Sequence, residues 1–214
     1  MNAATTCLVV LARAPEAGRG KTRLAVAIGE AQALQVYRRL LAITADAALA
    51  WPGPRLLASA GDPAAFAGTR LDRLPRVDQA EGGLGVVIAA ALAVGLGRAR
   101  AVLVIGSDCP GLCESALAAV ADVLTAAPVA FGPADDGGFW AIATRDHRAA
   151  ELVATLPVPW STRATLTTLR SGLAAAGLPS ALGPTLGDVD TAADLDAAIA
   201  AGVLPPLPPQ AGGR

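Results

Sequence analysis

The stretch Ala101-Val-Leu-Val-Ile-Gly-Ser-Asp-Cys-Pro-Gly-Leu112 reads as a buried strand that ends at Gly106 and passes through an acid, Asp108, into a proline turn. An apolar run without polar alternation belongs to a strand covered on both faces, as in a parallel sheet. Short apolar runs recur at Cys7–Ala12, Arg55–Ser59, Val129–Gly132 and Phe139–Ala143. Between them lie longer alanine- and leucine-rich segments, which predict helices near Glu30–Ala50, Leu84–Leu96, Ser115–Ala126, Arg163–Ala176 and Ala192–Ala200. Leu117, Val120 and Leu124 fall at i, i+3 and i+7, and Leu195, Ala198 and Ile199 line a face in the last segment, so both helices present an apolar stripe to a sheet. The alternation predicts an α/β fold with a mostly parallel sheet flanked by helices. Residues 1–204 are expected to form one domain, and the Pro/Gly-rich stretch 205–214 a flexible tail.

Composition narrows the function. Of 214 residues, 53% are hydrophobic and 16% charged, enough apolar material for a core. The formal charge of -1 draws the chain to no polyanion, and 3% aromatics leave few stacking platforms, so nucleic acid is not an expected partner. The apolar run from Cys7 to Ala12 is too short for a membrane span or a signal-peptide core, and no basic segment precedes it. A cytoplasmic protein without a membrane partner is expected. Three cysteines cannot all pair internally. Cys109 and Cys113 stand at C-x3-C, but one histidine in the chain leaves a zinc site short of ligands, so these are read as buried or loop thiols.

In an open parallel sheet ligands bind beyond the carboxyl ends of the strands, where loops and helix N-termini converge. After the first strand comes Leu11-Ala-Arg-Ala-Pro-Glu-Ala-Gly-Arg-Gly-Lys-Thr-Arg-Leu24. Gly18 and Gly20 permit close backbone approach, and Arg13, Lys21 and Arg23 can neutralise a phosphate chain. Gly20-Lys21-Thr22 matches the end of a P-loop, but that motif's first glycine would fall on Pro15, which has no N–H and a fixed φ. Asp108, at a strand's carboxyl end, is a metal-ligand candidate, since a hard cation bridging phosphates takes oxygen ligands. Phe131-Gly-Pro-Ala-Asp-Asp-Gly-Gly-Phe-Trp140 sets two carboxylates and two glycines between strands, although a type I′ hairpin turn would explain Asp136-Gly137 by itself. Leu186-Gly-Asp-Val-Asp-Thr-Ala-Ala-Asp-Leu195 leads acids into a helix: Asp190 or Thr191 could cap it and Asp194 suits its first turn, but capping does not explain Asp188 and Asp190 together.

The set Lys21-Thr-Arg-Leu24, Gly106-Ser-Asp-Cys-Pro110, Gly132-Pro-Ala-Asp-Asp-Gly-Gly138, Trp160-Ser-Thr162 and Asp188-Val-Asp-Thr191 resembles a family of small GT-A-fold, nucleotide-diphospho-sugar transferase proteins of DUF2064 type, some linked with arsenosugar biosynthesis. It is more distantly similar to sugar-nucleotide nucleotidyltransferases. The resemblance runs from about Leu8 to Leu195 with the motifs in the family's order. It implies a Rossmann-like sheet whose first loop holds a nucleotide, with Leu11, Ala12, Arg13, Gly18, Lys21 and Arg23 on the matching positions. It implies Mg²⁺ (or Mn²⁺) shared by Asp108 and Asp190. Asp78-Gln-Ala-Glu-Gly-Gly-Leu-Gly85 resembles a base-reading segment, giving Gln79 and Gly85 to the nucleotide, while Asp135, Gly137, Gly138 and Trp160 fall to the substrate. The chain departs from the family pattern at Gly83, where an acid is usual before Leu-Gly, and at Val86 and Val87, where a polar pair is usual after it.

The expected function is Mg²⁺-dependent glycosyl transfer from a nucleotide sugar to a small-molecule acceptor, with Lys21, Asp108 and Asp136 as catalytic residues. Lys21 and Arg13 would share the charge of the departing diphosphate, and Asp136 or Asp135 would take the acceptor's proton. Two alternatives stand beside it: nucleotidyl transfer to a phosphate or carboxylate with release of pyrophosphate, and a non-catalytic nucleotide-binding protein. A serine hydrolase is disfavoured, because His147, the single histidine, lies in a polar Arg-Asp-His-Arg stretch that reads as surface.

Overall fold

Strand-forming runs of the chain assemble into one seven-stranded sheet in the computed structural model, which describes residues 3–208. The strands are β1 (Thr6–Arg13), β2 (Arg55–Ala60), β3 (Arg76–Asp78), β4 (Ala101–Ile105), β5 (Val129–Pro133), β6 (Phe139–Thr144) and β7 (Ser180–Leu182). Their order is β3-β2-β1-β4-β6-β5-β7. Pairing is parallel throughout except around β6, which runs antiparallel to both β4 and β5. The helices are α1 (Thr22–Ile28), α2 (Glu30–Ala50), α3 (Leu84–Leu96), α4 (Glu114–Val123), α5 (His147–Thr155), α6 (Thr165–Ala175) and α7 (Ala192–Ala200).

The central strands are buried on both faces because helices cover both. Leu8, Val10 and Ala12 of β1 face one core with Leu41, Ala45, Trp51, Leu117 and Val120, while Cys7 and Val9 face a second with Ile88, Leu92, Val153 and Leu169. This is the period-2 alternation of a strand read against two helical layers. A third cluster joins Leu24 of α1, Val36 and Leu40 of α2, Val189 and Leu195. It brings the late acidic segment back to the first loop.

The five expected strands and five expected helices are present, with shifted ends: the helix expected at Ser115–Ala126 spans Glu114–Val123, and that expected at Arg163–Ala176 spans Thr165–Ala175. Asp136-Gly137 does not form the type I′ turn that would have explained the pair by itself. Only Gly137 has positive φ (90°), and the Ala134 N–H donates to the Gly138 carbonyl at 3.1 Å, so the hairpin closes through a wider, three-residue loop. Pro205–Pro208 lie along α2, where the Arg39 guanidinium donates to the Pro205 carbonyl at 3.0 Å and Leu207 packs on the third cluster. The remainder of the expected tail lies outside the described residues. Among the described residues no helix is long and apolar enough to cross a membrane.

Candidate functional site

The loop after β1 is built to present one ammonium. Tyr37 of α2 reaches under it, its hydroxyl accepting from the Arg13 N–H at 3.0 Å and donating to the Arg13 carbonyl at 2.9 Å. The backbone of Lys21 is left-handed (φ 51°, ψ 40°), a conformation that costs a non-glycine residue about 1 kcal/mol or more and persists only where the surroundings enforce it. That bend turns the Lys21 side chain inward, leaving it 4% exposed. Its Nζ lies 2.6 Å from Asp108 Oδ1 and 2.7 Å from Asp190 Oδ1. Burial pulls the ammonium's pKa down, but the two carboxylates outweigh it and hold the net value above that of an ordinary lysine.

Two elements distant in sequence supply those carboxylates. Asp108 follows β4, and it does not cap α4, whose N-cap is Cys113. Asp190 arrives because the segment after β7 is stitched along the sheet edge: the Gly183 N–H donates to Phe131, that of Leu186 to Pro133 and that of Val189 to the Asp108 carbonyl. Thr191 caps α7 in a reciprocal capping box with Asp194, which leaves Asp190 free of the capping role. Two carboxylates that gather a cation at one point form the donor set that Mg²⁺ or Mn²⁺ takes when substrate phosphates complete its shell. Among the described residues no group of three or more His, Cys, Asp or Glu could hold a metal ion alone. Asp108 and Asp190 therefore fit a hard divalent ion bound together with a phosphate ligand.

Two cavities meet at this pair. One, of about 550 Å³, runs beneath the first loop, lined by Leu11, Ala12, Arg13, Arg19, Gly20, Lys21, Gln79 and Leu84 among others. The other, of about 250 Å³, lies between the sheet, α3 and the segment after α5, and includes Arg23, Ile88, Asp136, Gly138, Phe139, Trp160 and Asp188. Thus Leu11, Ala12, Arg13, Lys21 and Gln79 share the first cavity, and Arg23, Asp136, Gly138 and Trp160 the second. Gln79 uses its amide nitrogen to join the strand ends, donating to the carbonyls of Ala12 (3.2 Å) and Ala58 (2.9 Å). Gly85 lines neither cavity. It is packed so closely that a Cβ would lie 2.8 Å from the Val153 carbonyl oxygen and 2.9 Å from the Trp160 ring. Gly18 (φ 74°) turns the loop beside Glu30, outside both cavities. Gly137 pins the hairpin tip under α6, its carbonyl accepting from the Leu166 N–H at 3.1 Å, and Asp135 faces a third cavity beside Arg163 and Gly187.

The site also contains residues not assigned to it from the sequence. Arg19 and Tyr37 line the first cavity, and the tyrosine sits a full helix away from the loop it supports. Asp188 lies half-buried in the second, where burial first, then the nearby Asp136 and Asp190 carboxylates, push its pKa up to about 6. Its pairing with Asp190 in Asp188-Val-Asp190 was the available signal. His147 is exposed at the start of α5, far from any triad role.

The fold has solved relatives. A protein from Desulfovibrio desulfuricans G20, named as a candidate nucleotide-diphospho-sugar transferase, is 23% identical with a TM-score of 0.82, covering 90% of this chain and 85% of its own. The inositol-1-phosphate CTP transferase from T. maritima is 12% identical with a TM-score of 0.58 over 94% and 95% of the two chains. Glucosyl-3-phosphoglycerate synthase from Mycobacterium tuberculosis, solved with Mn²⁺, UDP and glucosyl-3-phosphoglycerate, is 14% identical with a TM-score of 0.54 over 93% and 77%. At these identities the likeness shows the nucleotide-diphospho-sugar transferase fold. No curated protein matches the chain. The model of the family described as "Uncharacterized protein conserved in bacteria (DUF2064)" matches residues 43–162, more than half of the chain, and it is to this family that the protein belongs.

Proposed function

We propose that the protein is a divalent-metal-dependent transferase that uses a nucleotide sugar, with glycosyl transfer to a small-molecule acceptor as its reaction. The observation that carries this reading is the Lys21 ammonium held between Asp108 and Asp190 where a cation-lined cleft opens into a second pocket. The fold shared with the Mycobacterium tuberculosis synthase, solved with Mn²⁺ and UDP, supports it as an analogy of fold.

Arg13, Arg19 and Lys21 line the cleft and would bind the donor's phosphates, which fixes the donor's orientation toward the second pocket. With Asp108 and Asp190 turned to a metal, the Lys21 ammonium they hold would be released toward the donor and would share the charge of the leaving diphosphate. Asp108 and Asp190 would hold Mg²⁺ or Mn²⁺, which when bound acts as a Lewis acid toward the phosphate oxygens. Asp136 Oδ1 already accepts the Gly138 N–H at 2.7 Å, an interaction that orients the carboxylate on the pocket rim to take the proton of an acceptor hydroxyl.

Nucleotidyl transfer is the rival, favoured by the size and cationic lining of the cleft under the first loop, which suits a triphosphate as well. Mass-spectrometric product analysis with Mg²⁺, nucleoside triphosphates, nucleotide sugars and an acceptor pool separates the two. Release of nucleoside diphosphate with a glycosylated product is expected. Pyrophosphate with a new nucleotide conjugate would replace glycosyl by nucleotidyl transfer, and nucleotide binding without any product would make the protein a non-catalytic binder.

A further inference from the structure

The two cavities that share Asp108 and Asp190 have opposite electrical character. The cleft under the first loop sets three cations, Arg13, Arg19 and Lys21, against those two carboxylates. The second pocket is lined by one cation, Arg23, and four carboxylates, Asp108 and Asp190, which share the Lys21 ammonium, and Asp136 and Asp188. Even when a divalent ion compensates Asp108 and Asp190, whatever enters the second pocket still faces Asp136, Asp188 and the donor's diphosphate. An anionic nucleophile placed there meets like charge, which disfavours it against a neutral one.

The body of the same pocket is apolar. Val104 and Ile142 form its floor, Ile88 one wall, and the Phe139 and Trp160 rings, in edge contact at 6.4 Å, another. Of the three hydroxyls on the Trp160 side, two are engaged within their own loop, Thr162 Oγ1 donating to Pro159 at 2.8 Å and Thr165 Oγ1 to Thr162 at 2.7 Å, and exposed Ser161 is the third. A hydroxyl-studded ring would find few partners against this wall and would lose its hydration without replacement. At the mouth Leu84 remains 44% exposed, and Val86 beside it 40%. Leu84 lines both cavities, so a ligand bridging them would cover it.

We propose that this pocket takes the acceptor, and that the acceptor is an uncharged alcohol or phenol with an apolar body. Its ring or branched chain lies against Trp160, Phe139 and Ile142, and its hydroxyl faces Asp136. The assignment rests on the glycosyl-transfer reading. In that reaction the acceptor oxygen forms a bond to the sugar's anomeric carbon as the bond from that carbon to the diphosphate oxygen breaks. The bonding pair leaves with the nucleoside diphosphate, and the hydroxyl proton passes to Asp136.

Calorimetric titration of the full-length protein in MnCl₂ with 4-methylbenzyl alcohol, 4-methylbenzyl phosphate and 4-methylbenzoate tests it. The alcohol should bind saturably and at least about tenfold more tightly than either anion. Trp160→Ala should weaken the alcohol, and Asp136→Asn should narrow its advantage by tightening the anions, a gain that misfolding cannot produce. Equal or tighter binding of either anion, or alcohol binding unchanged in Trp160→Ala, would overturn the proposal. UDP, CDP, ADP and GDP are titrated alongside. Nucleotide binding without alcohol binding removes the acceptor assignment and leaves the transferase reading standing. Alcohol binding without nucleotide binding removes the transferase reading and the acceptor role with it.

Discussion

Of the 17 Lys and Arg residues, Lys21 alone is lysine, and it is the one whose side chain is buried between two carboxylates. A compact ammonium can sit at a point where a planar guanidinium cannot. In the structure it stands where, on the proposed reading, Asp108 and Asp190 would gather a metal, so a metal bound there would compete with the ammonium for the same oxygens and a phosphate would draw the lysine away. Lys21→Met should therefore tighten Mn²⁺ binding without nucleotide by about tenfold, roughly 1.4 kcal/mol, and weaken nucleotide binding, both read by calorimetry. Lys21→Arg should restore neither behaviour fully. Unchanged Mn²⁺ affinity in Lys21→Met would show that the ammonium does not guard the site. Asp108→Asn and Asp190→Asn should each abolish metal-dependent nucleotide binding while the far-ultraviolet spectrum stays native; retained metal dependence in both would remove the assignment. The cysteines give an independent check of the local environments. Burial pushes the Cys7 thiol up to about 11 and Cys109 higher still, whereas hydrogen bonds from Ser115 and from the α4 N-terminus hold exposed Cys113 below an ordinary thiol. Iodoacetamide should label one cysteine in the native protein, Cys113, and three after denaturation. Lys21 and Asp108 were legible in sequence because each follows a strand in a motif. Tyr37 and Arg19 were not, because a tyrosine in a helix reads as core and a loop arginine as solvated.

Elements with strong periodicity or a long apolar run read directly, as Leu84–Leu96 and Ala192–Ala200 do. The edge strands β3 and β7 did not, each being three residues long and too short to show alternation. Helix α1 hid because its start, Thr22 and Arg23 after Lys21, reads as a phosphate-binding loop, and α5 because its apolar residues are mostly alanine. The antiparallel β6 was visible as a strand, and its direction follows from the short hairpin that joins it to β5, whichever turn closes it. Helix α3 illustrates how packing overrides propensity. Gly95 lies in its interior, where alanine would be favoured by about 1 kcal/mol. A Cβ there would come 2.2 Å from Val102 Cγ2 of β4, so glycine is what lets the helix lie close on the sheet. Overpacking of this kind costs typically about 1–3 kcal/mol. Gly95→Ala should accordingly lower the urea midpoint without altering the slope, by a net loss on the order of 1 kcal/mol. A midpoint that rises would mean that α3 can shift outward freely and that propensity decides.

At the level of the whole molecule the candidate site is assembled from residues 21, 108 and 190, and no segment of local sequence contains it. What brings the last of these home is the third core cluster, in which Val189, 1% exposed, packs with Leu24, Val36, Leu40 and Leu195. The sequence displayed each acidic motif but not this convergence, since Val189 is one apolar residue between two aspartates. A ligand held jointly by the first loop, Asp108 and Asp190 therefore ties the chain's beginning, middle and end to one another. Such a ligand binds the folded state and not the unfolded chain, where the three segments are apart. At a hundredfold excess over Kd it adds about 2.7 kcal/mol of stability, which for a chain of this size raises Tm by roughly 5–10 °C. Scanning calorimetry with Mn²⁺ and a nucleoside diphosphate together should show that rise, with little from either alone, because the ammonium opposes the metal and uncompensated carboxylates oppose the phosphates. A full rise with nucleotide alone would mean that the cationic loop suffices and that Asp108 and Asp190 serve only to position Lys21.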